Sequence, residues 1–174
     1  MRARPSVRLA LIGDIDAVAG IHVRSWQHAY RGQIPDSVLD ALDARERAAR
    51  WLEWLDKPGR ALQVAVREGR LVGFCSLIHS RDEGAGDAVG ELAALYVDPA
   101  VWRTGAGTAL VAAAVAQAYA VGYRTLTLWV LTANDRARRF YERVGFAPDG
   151  ETKFETRADY SLAEMRYRRE LLAP

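Results

Sequence analysis

A glycine-containing turn precedes a helix-forming segment near the middle of the chain. The sequence WRTGAGTAL runs from Trp102 to Leu110, and the Ala-rich stretch that continues from it favours a helix. The first backbone N–H groups of a helix lack partners within the helix, and this end carries a partial positive charge. Glycines let an anion approach because they have no Cβ. The turn therefore indicates either an anion site, suited to a pyrophosphate, or a purely structural turn.

Two common phosphate motifs do not fit this turn. A dinucleotide fingerprint requires a third glycine where this chain has Leu110, and a P-loop requires Gly-Lys followed by Ser or Thr. A nucleotide-binding enzyme is therefore not favoured.

Three polar residues about thirty positions further on share one face of a second predicted helix. Asn134, Arg138 and Tyr141 lie 4 and 3 residues apart. An apolar stripe adjoins them, formed by Ala137, Phe140 and Val144. One face of this helix can pack while the other contacts a ligand, and Asn134 is also a suitable N-cap.

The other reactive side chains carry no recognisable catalytic or metal-binding pattern. Cys75 lies in an apolar strand and is expected to be a buried small hydrophobe. His22, His28 and His79 have neither triad nor metal-ligand spacing, so we assign them no chemistry and predict no metal site.

Composition limits the kind of protein and its partners. The 174 residues, half of them hydrophobic, suffice for one domain, which we predict over 3–172. The 24 basic and 22 acidic residues are too evenly balanced to suggest a nucleic-acid or membrane surface. With a single cysteine and no apolar run near the ~18 residues of a membrane span, we expect a soluble cytoplasmic protein.

Hydrophobic periodicity predicts the elements that must position these residues. The predicted helices start at Asp14 as N-cap and end near Gly32, then run from Pro35 to about Leu55, over 105–121 and from Asn134 to Val144. The predicted strands are 7–10, a hairpin over 62–78 that turns at Glu68-Gly69, 91–97, 125–131 and a final pair ending with 161–172, while 81–90 reads as a loop. This order implies an α/β (α+β) fold with a mixed, mostly antiparallel sheet of about 6–7 strands and helices on both faces.

The two polar segments together resemble the motifs of the GNAT N-acetyltransferases. Their cofactor motif, Gln/Arg-x-x-Gly-x-Gly/Ala, follows a strand that ends in Val-x-Pro, and here Gly105 and Gly107 match it after Val97-Asp98-Pro99. The second motif, Asn-x-x-Ala-x-x-Phe-Tyr-x-x-x-Gly-Phe, is matched at Asn134, Ala137, Phe140, Tyr141, Gly145 and Phe146. The match departs at Trp102, where the family has Gln or Arg, and Arg103 is the neighbouring candidate for that charge. The resemblance extends over about 8–172, with its motifs confined to 91–146.

The resemblance implies a GNAT-type fold, acetyl-CoA as cofactor and a set of residues that hold it. In the family the strand at 91–97 splays from its neighbour and pairs with the pantetheine arm, while the glycine turn holds the pyrophosphate. The cofactor-binding residues carried over are Leu95, Tyr96, Val97, Arg103, Thr104, Gly105, Ala106, Gly107, Thr108, Asn134, Arg138 and Tyr141.

The resemblance also supplies two catalytic candidates. Tyr141 would protonate the leaving thiolate, and its ordinary pKa near ~10 keeps it protonated at neutral pH. Glu91, eleven positions before Trp102 as in the family, would accept the amine proton directly or through water. The alternatives are a core aromatic for Tyr141 and a solvated rim carboxylate for Glu91.

The sequence defines the acceptor of the acetyl group less well than the cofactor. Trp26 and Tyr30 belong to the connection that borders the acceptor pocket in the family, although aromatic residues at helical spacing are also common in cores. The segment 151–160 is the candidate for the opposite wall. We predict an N-acetyltransferase for a small-molecule or peptide amine, with a homodimer as a family-based expectation. The alternative is a non-catalytic acyl-CoA-binding sensor of the same fold.

Overall fold

The computed structural model describes residues 4–171. Residues 3 and 172, the predicted domain limits, lie outside that range. The strands are β1 (Ser6–Leu9), β2 (Ala61–Arg67), β3 (Arg70–His79), β4 (Val89–Val97), β5 (Thr125–Leu131), β6 (Ala147–Thr156) and β7 (Ser161–Glu170). The helices are α1 (Ile15–Ala29), α2 (Asp36–Asp40), α3 (Ala44–Leu55), α4 (Ala106–Ala120) and α5 (Asp135–Arg143), with 3-10 turns at Ile12–Asp14 and Pro99–Val101.

The seven strands form one sheet in the order β1-β2-β3-β4-β5-β7-β6. Only β4 and β5 are parallel, so the sheet is mixed and mostly antiparallel, as predicted. Helices α4 and α5 pack on one face, around a core that includes Leu110, Leu126 and Tyr167. Helices α1 and α3 cover the other face, where Val64 and Phe74 are fully buried.

The β4–β5 pair separates partway along its length. Pairing covers only Val89 to Glu91 of β4, opposite Thr125 to Thr127 of β5. The outer edge of β4 continues to pair with β3, although a bulge near Ala93 shifts the register between Ser76 and Leu77. From residue 92 onward, β4 therefore faces β5 across a gap with no strand pairing.

Local signals explain why several element boundaries are close to the predicted ones. Glu68 and Gly69 both have positive φ, 52° and 73°, which is the geometry of a two-residue type I′ hairpin turn. Gly122 and Gly145 follow α4 and α5 with φ of 98° and 88°, as helix C-terminal glycines do.

No helix within residues 4–171 is long and apolar enough to cross a membrane.

Two helix predictions are wrong in detail. Asp14 occupies the N-cap position of α1, as predicted, but its side chain does not cap the helix; it accepts the N–H of Leu11 at 2.7 Å and pairs with Arg8, which closes the preceding 3-10 turn. The helical region predicted from Pro35 to Leu55 is two helices, because the Asp43 side chain accepts the N–H groups of Arg45 and Glu46 and begins a new one.

Candidate active site

A cavity of about 1420 Å³ opens where β4 and β5 separate. This exceeds the ~300–1,000 Å³ usual for one small ligand, so two molecules can meet in it. Its walls come from both faces of the sheet: Leu95, Ala106 and Tyr141 from the α4–α5 side, and Trp51 and Tyr96 from the α1–α3 side. The strand separation thus connects the two faces of the sheet.

The glycine turn lies at the cavity wall with free backbone donors. Gly105 precedes α4 with φ of 88° and offers no side-chain cap. The Thr104 hydroxyl donates to the Val101 carbonyl at 2.7 Å, which fixes the turn from within. The first helical bond runs from Ala109 N–H to the Gly105 carbonyl. Within residues 4–171, the three N–H groups from 106 to 108 have no acceptor, so this end of α4 can bind an anion.

Gly107 has a structural role that the motif alone did not indicate. A Cβ at this position would lie 3.1 Å from the Phe140 Cζ atom and 3.3 Å from its Cε2 atom. The expectation from the sequence was that an anion approaches closely at both glycines. Gly105, with positive φ and open space around it, fits a turn beside a ligand, whereas Gly107 allows α4 to pack against α5. The two motifs are therefore in direct contact.

Trp102 occupies the first place of the motif, where the family has Gln or Arg, and its side chain packs within the protein. Its Nε1 donates to the Val97 carbonyl at 2.7 Å, and the guanidinium of Arg136 lies 3.4 Å from its ring centroid. Arg136 thus places a positive charge beside Trp102, where a cation–π interaction with the indole ring stabilises it. Burial, together with the nearby Arg103 charge, lowers the pKa of Arg136. Arg103 itself is exposed at the cavity wall.

Three arginines on α5 line the cavity but were not predicted as site residues from the sequence. Arg136, Arg139 and Arg143 all line the cavity. They have no ion-pair partner within residues 4–171. Their spacing of 3 and 4 is the signal that could have found them, because it places all three on one helical face. Together with Arg103 they make this end of the cavity cationic.

Two predicted contacts on α5 have different outcomes. Asn134 lines the cavity, and its side chain caps α5 by accepting the Ala137 N–H at 3.1 Å. Arg138 is not among the cavity-lining residues; it donates to the Thr132 carbonyl and the Tyr167 hydroxyl. The expected cofactor contact of Arg138 therefore has no geometric support, because its neighbours Arg136 and Arg139 face the cavity instead.

Tyr141 lies at the cavity wall on the α4–α5 side. Its ring packs against Phe140, Phe146 and Tyr167, with ring centroids 5.4, 6.0 and 6.4 Å away. Within residues 4–171 its hydroxyl has no hydrogen-bond partner. Burial raises the pKa of Tyr141, so the hydroxyl stays protonated and can donate to a group in the cavity.

Glu91 also lines the cavity, but its carboxylate is held by Arg81. The side chain is 2% exposed and accepts from Arg81 at 2.5 Å (Nη2), 3.0 Å (backbone N) and 3.2 Å (Nε). The alternative that Glu91 is a solvated carboxylate at the rim of the site is therefore wrong. The ion pair holds the loop over 81–88 against β4, and a base role for Glu91 stays a prediction.

The α1–α3 side of the cavity brings together the aromatic residues predicted for the acceptor. The Trp26 Nε1 donates to the Tyr96 hydroxyl at 2.9 Å, and the Tyr30 ring meets Trp26 edge-on at 5.2 Å. Lys153 and Phe154 from β6 form part of the opposite wall, as expected for 151–160. We call this aromatic-walled part of the cavity the acceptor chamber. Arg47 and Glu164 also line it and were missed, because no local pattern distinguishes them from other surface charges.

The β4 residues predicted to contact the cofactor differ in whether their backbone groups are available to a ligand. Leu95 and Tyr96 line the gap between β4 and β5, so the β4 edge there is open to a ligand. The Val97 carbonyl accepts from Trp102 and from the Ser25 hydroxyl at 3.2 Å, so it is satisfied by the protein. Ala106 and Thr108 line the cavity beside the turn, whereas Thr104 does not.

Comparisons with known proteins agree on one family. Residues 22–146 match the model of the Acetyltransferase (GNAT) family. The chain is 33% identical over 148 residues to an uncharacterized N-acetyltransferase of Mycobacterium tuberculosis, covering 84% of this chain and 92% of that one. It is 34% identical over 137 residues to the mycothiol acetyltransferase of Acidimicrobium ferrooxidans, covering 78% of this chain but only 42% of that protein.

The same fold occurs in a solved structure of low sequence identity. A Salmonella typhimurium protein described as an acetyltransferase, solved with its cofactor acetyl-CoA, superimposes with a TM-score of 0.75 at 20% identity. The match covers 99% of this chain and 96% of that one. At this identity the likeness concerns the fold alone.

Proposed function

The chain belongs to the acetyltransferase (GNAT) family, and we propose that it transfers the acetyl group of acetyl-CoA to a primary amine. One observation carries the proposal: the β4–β5 gap joins the N-terminal end of α4 and a Tyr141 hydroxyl that has no partner within residues 4–171 to the acceptor chamber on the other face. The two reactants can then enter from opposite faces and meet at the gap.

The described residues fit coenzyme A in charge and shape. The N–H groups of 106–108, which have no acceptor within residues 4–171, and the arginines of α5 would hold the phosphate groups, since both donate hydrogen bonds to anions and lie at one end of the cavity. The open edge of β4 at Leu95 and Tyr96 would pair with the amides of the pantetheine arm. Membership of the acetyltransferase (GNAT) family supports the same choice of cofactor.

The proposed mechanism is direct attack in a ternary complex. Acetyl-CoA supplies an activated acetyl group as a thioester. The backbone of β4 would donate to the thioester oxygen, where negative charge develops as the nitrogen–carbon bond forms. Glu91, acting through water, would take the proton that the amine loses. Tyr141 would donate its hydroxyl proton to the sulfur as the carbon–sulfur bond breaks.

The first prediction concerns Arg136, which we propose as a phosphate ligand. Arg136→Gln should raise the Kd for coenzyme A by about tenfold, because a charge-assisted hydrogen bond is lost, and should leave binding of acetylpantetheine unchanged. Isothermal titration with both ligands measures the difference. Arg45→Gln, on the exposed first turn of α3, is the matched control. Equal loss for both ligands would place Arg136 in folding instead of phosphate binding.

The second prediction distinguishes a general-base role of Glu91 from a structural role as the anchor of the loop over 81–88. An alkyl ammonium has a pKa near ~10, so removal of the base should lower kcat/KM about 100-fold at pH 7 and progressively less as the pH approaches 10. We expect this profile for Glu91→Gln. The pH dependence of kcat/KM from pH 6 to 10 measures it.

Arg81→Gln serves as the comparison for Glu91. It removes most of the ion pair but leaves the carboxylate in place, so activity should fall much less than in Glu91→Gln. If both variants lose activity and thermal stability equally at every pH, Glu91 acts as an anchor for the loop and the base role is refuted.

The sensor alternative shares every cofactor-binding feature, so only turnover distinguishes it. Release of free thiol from acetyl-CoA with an amine panel should exceed the rate without amine. Binding of coenzyme A without any amine-dependent turnover would favour the sensor.

Two further expectations stay predictions: that the protein forms a homodimer, and that its domain spans residues 3–172.

A further inference from the structure

Arg47 is a half-buried cation in the wall of the acceptor chamber. It belongs to α3, and its guanidinium carbon lies 5.7 Å from the centroid of the Trp26 ring. Within residues 4–171 no carboxylate lies within ion-pair distance of it. Burial lowers the pKa of Arg47, which means that its charge is poorly solvated. An anion in the chamber would supply the missing counter-charge.

His22 lines the same cavity and lies close enough to Arg47 for the Arg47 charge to act on its ring. The Trp51 Nε1 donates to the His22 Nδ1 at 3.1 Å, and an indole N–H can only donate, so the proton of the neutral ring is on Nε2. Burial lowers the pKa of His22 to about 3, which keeps the ring neutral. The Nε2 atom is buried and has no hydrogen-bond partner in the described part of the chain. Because the Nε2–H is enclosed by protein and the Arg47 charge acts on the ring, its resonance can report a carboxylate that binds to Arg47.

The opposite charge lies on the other side of Tyr96. Glu164 from β7 is 14% exposed at its side chain, and its nearest cation is Lys153, at 3.5 Å. Arg47 and Glu164 act on the Tyr96 hydroxyl with opposite signs, Arg47 lowering and Glu164 raising its pKa. Burial also raises the pKa of Glu164 itself. The cavity wall therefore carries the Arg47 cation on α3 and, on β7, the Glu164 carboxylate, which is paired with Lys153 of β6.

We propose that the acceptor is an amine that also carries a carboxylate, with the carboxylate bound by Arg47 beside the Trp26 ring. A planar guanidinium matches a carboxylate through two parallel hydrogen bonds. Glu164 attracts the ammonium end and disfavours a second negative charge, which selects an aminocarboxylate over a phosphorylated amine. The aromatic residues Trp26 and Trp51 then contact the carbon chain between the two groups. This inference rests on the proposed acetyl transfer.

The first test compares acids with their matched amides as acceptors. The panel contains α-amino acids with aliphatic and aromatic side chains, and linear aminocarboxylates from glycine to 6-aminohexanoate, each beside its primary amide. We expect kcat/KM to be at least tenfold higher for the best acid than for its amide. Arg47→Met should remove this preference by lowering the rate with the acid only.

The matched control is Arg50→Met, three residues further along α3 and exposed. It should keep the wild-type preference. Equal rates with acids and amides, a preference that survives Arg47→Met, or a best acceptor that lacks a carboxylate would each overturn the inference while leaving the acetyltransferase proposal intact.

The second test measures binding without turnover. In the ¹⁵N-labelled protein, titration with the same acids should shift the imidazole Nε2–H resonance of His22, and titration with the amides should not. Arg47→Met should abolish the shift. If acids shift this resonance but no amine is acetylated, the carboxylate site stands and the proposed function fails. If neither or both ligands shift it, the carboxylate site is refuted.

Discussion

Tyr141→Phe is expected to lower kcat by about 100- to 1,000-fold, within the range for loss of a general acid, and to leave the Kd for coenzyme A within twofold of wild type. The variant removes a single oxygen atom. The aromatic packing against Phe140, Phe146 and Tyr167 is retained, so the melting temperature should change little. Steady-state kinetics with acetyl-CoA and the best amine, together with titration calorimetry, measure both quantities.

The raised pKa of Tyr141 determines how the hydroxyl would act. Burial disfavours the tyrosinate, so the donor stays protonated through and above pH 10. A thiolate that departs in the same gap would be desolvated, which would raise the pKa of its conjugate thiol and favour proton transfer to sulfur. We therefore expect no decline of activity with rising pH that can be assigned to Tyr141 below about pH 10.

Tyr123→Phe is the matched control for Tyr141→Phe. Tyr123 follows α4 outside the cavity, next to His79 and Gly90, and its side chain makes no hydrogen bond within residues 4–171. Its substitution should leave kcat unchanged. A Tyr141→Phe variant with wild-type kcat would remove the hydroxyl from the mechanism, and one with weakened coenzyme A binding would make Tyr141 a cofactor contact instead.

The sequence predicted best the features that local chemistry determines. The hairpin turn at Glu68-Gly69 requires two residues that tolerate positive φ, and Gly122 and Gly145 end the two helices that carry the motifs. The family pattern then predicted the gap between β4 and β5, which the strand pairing confirms. Each of these predictions depends on neighbours in sequence or on a pattern of fixed spacing.

The sequence predicted least well which partner each polar side chain finds. Glu91 lies ten residues from Arg81 across a loop, and their ion pair has no periodic signal. Arg138 and Arg136 are both arginines on α5, yet only the fold decides that Arg138 turns to Thr132 while Arg136 lies over Trp102. Such choices depend on the three-dimensional arrangement of separate elements, which spacing along one helix cannot encode.

The contact between Gly107 and Phe140 predicts the other large effect. Gly107→Val should lower the free energy of unfolding by about 1–3 kcal/mol, because its side chain overlaps the Phe140 ring, and should lower kcat/KM about 100-fold. The activity falls because α5 carries both Asn134 and Tyr141, so a shift of α5 by about 1 Å misplaces the proposed acid. Urea unfolding and steady-state kinetics measure the two effects.

A second substitution at Phe140 distinguishes packing from anion binding as the reason for glycine at this position. Phe140→Leu removes the ring atoms closest to position 107, so Gly107→Val combined with Phe140→Leu should recover at least tenfold of the lost kcat/KM, and Phe140→Leu alone is the matched control. If glycine were needed there for the approach of a phosphate, the double variant would stay as inactive as Gly107→Val, and the Kd for coenzyme A would stay raised. Recovery would mean that Gly107 acts by setting the distance between α4, which offers the unpaired N–H groups of residues 106–108, and α5, which would supply the proton donor.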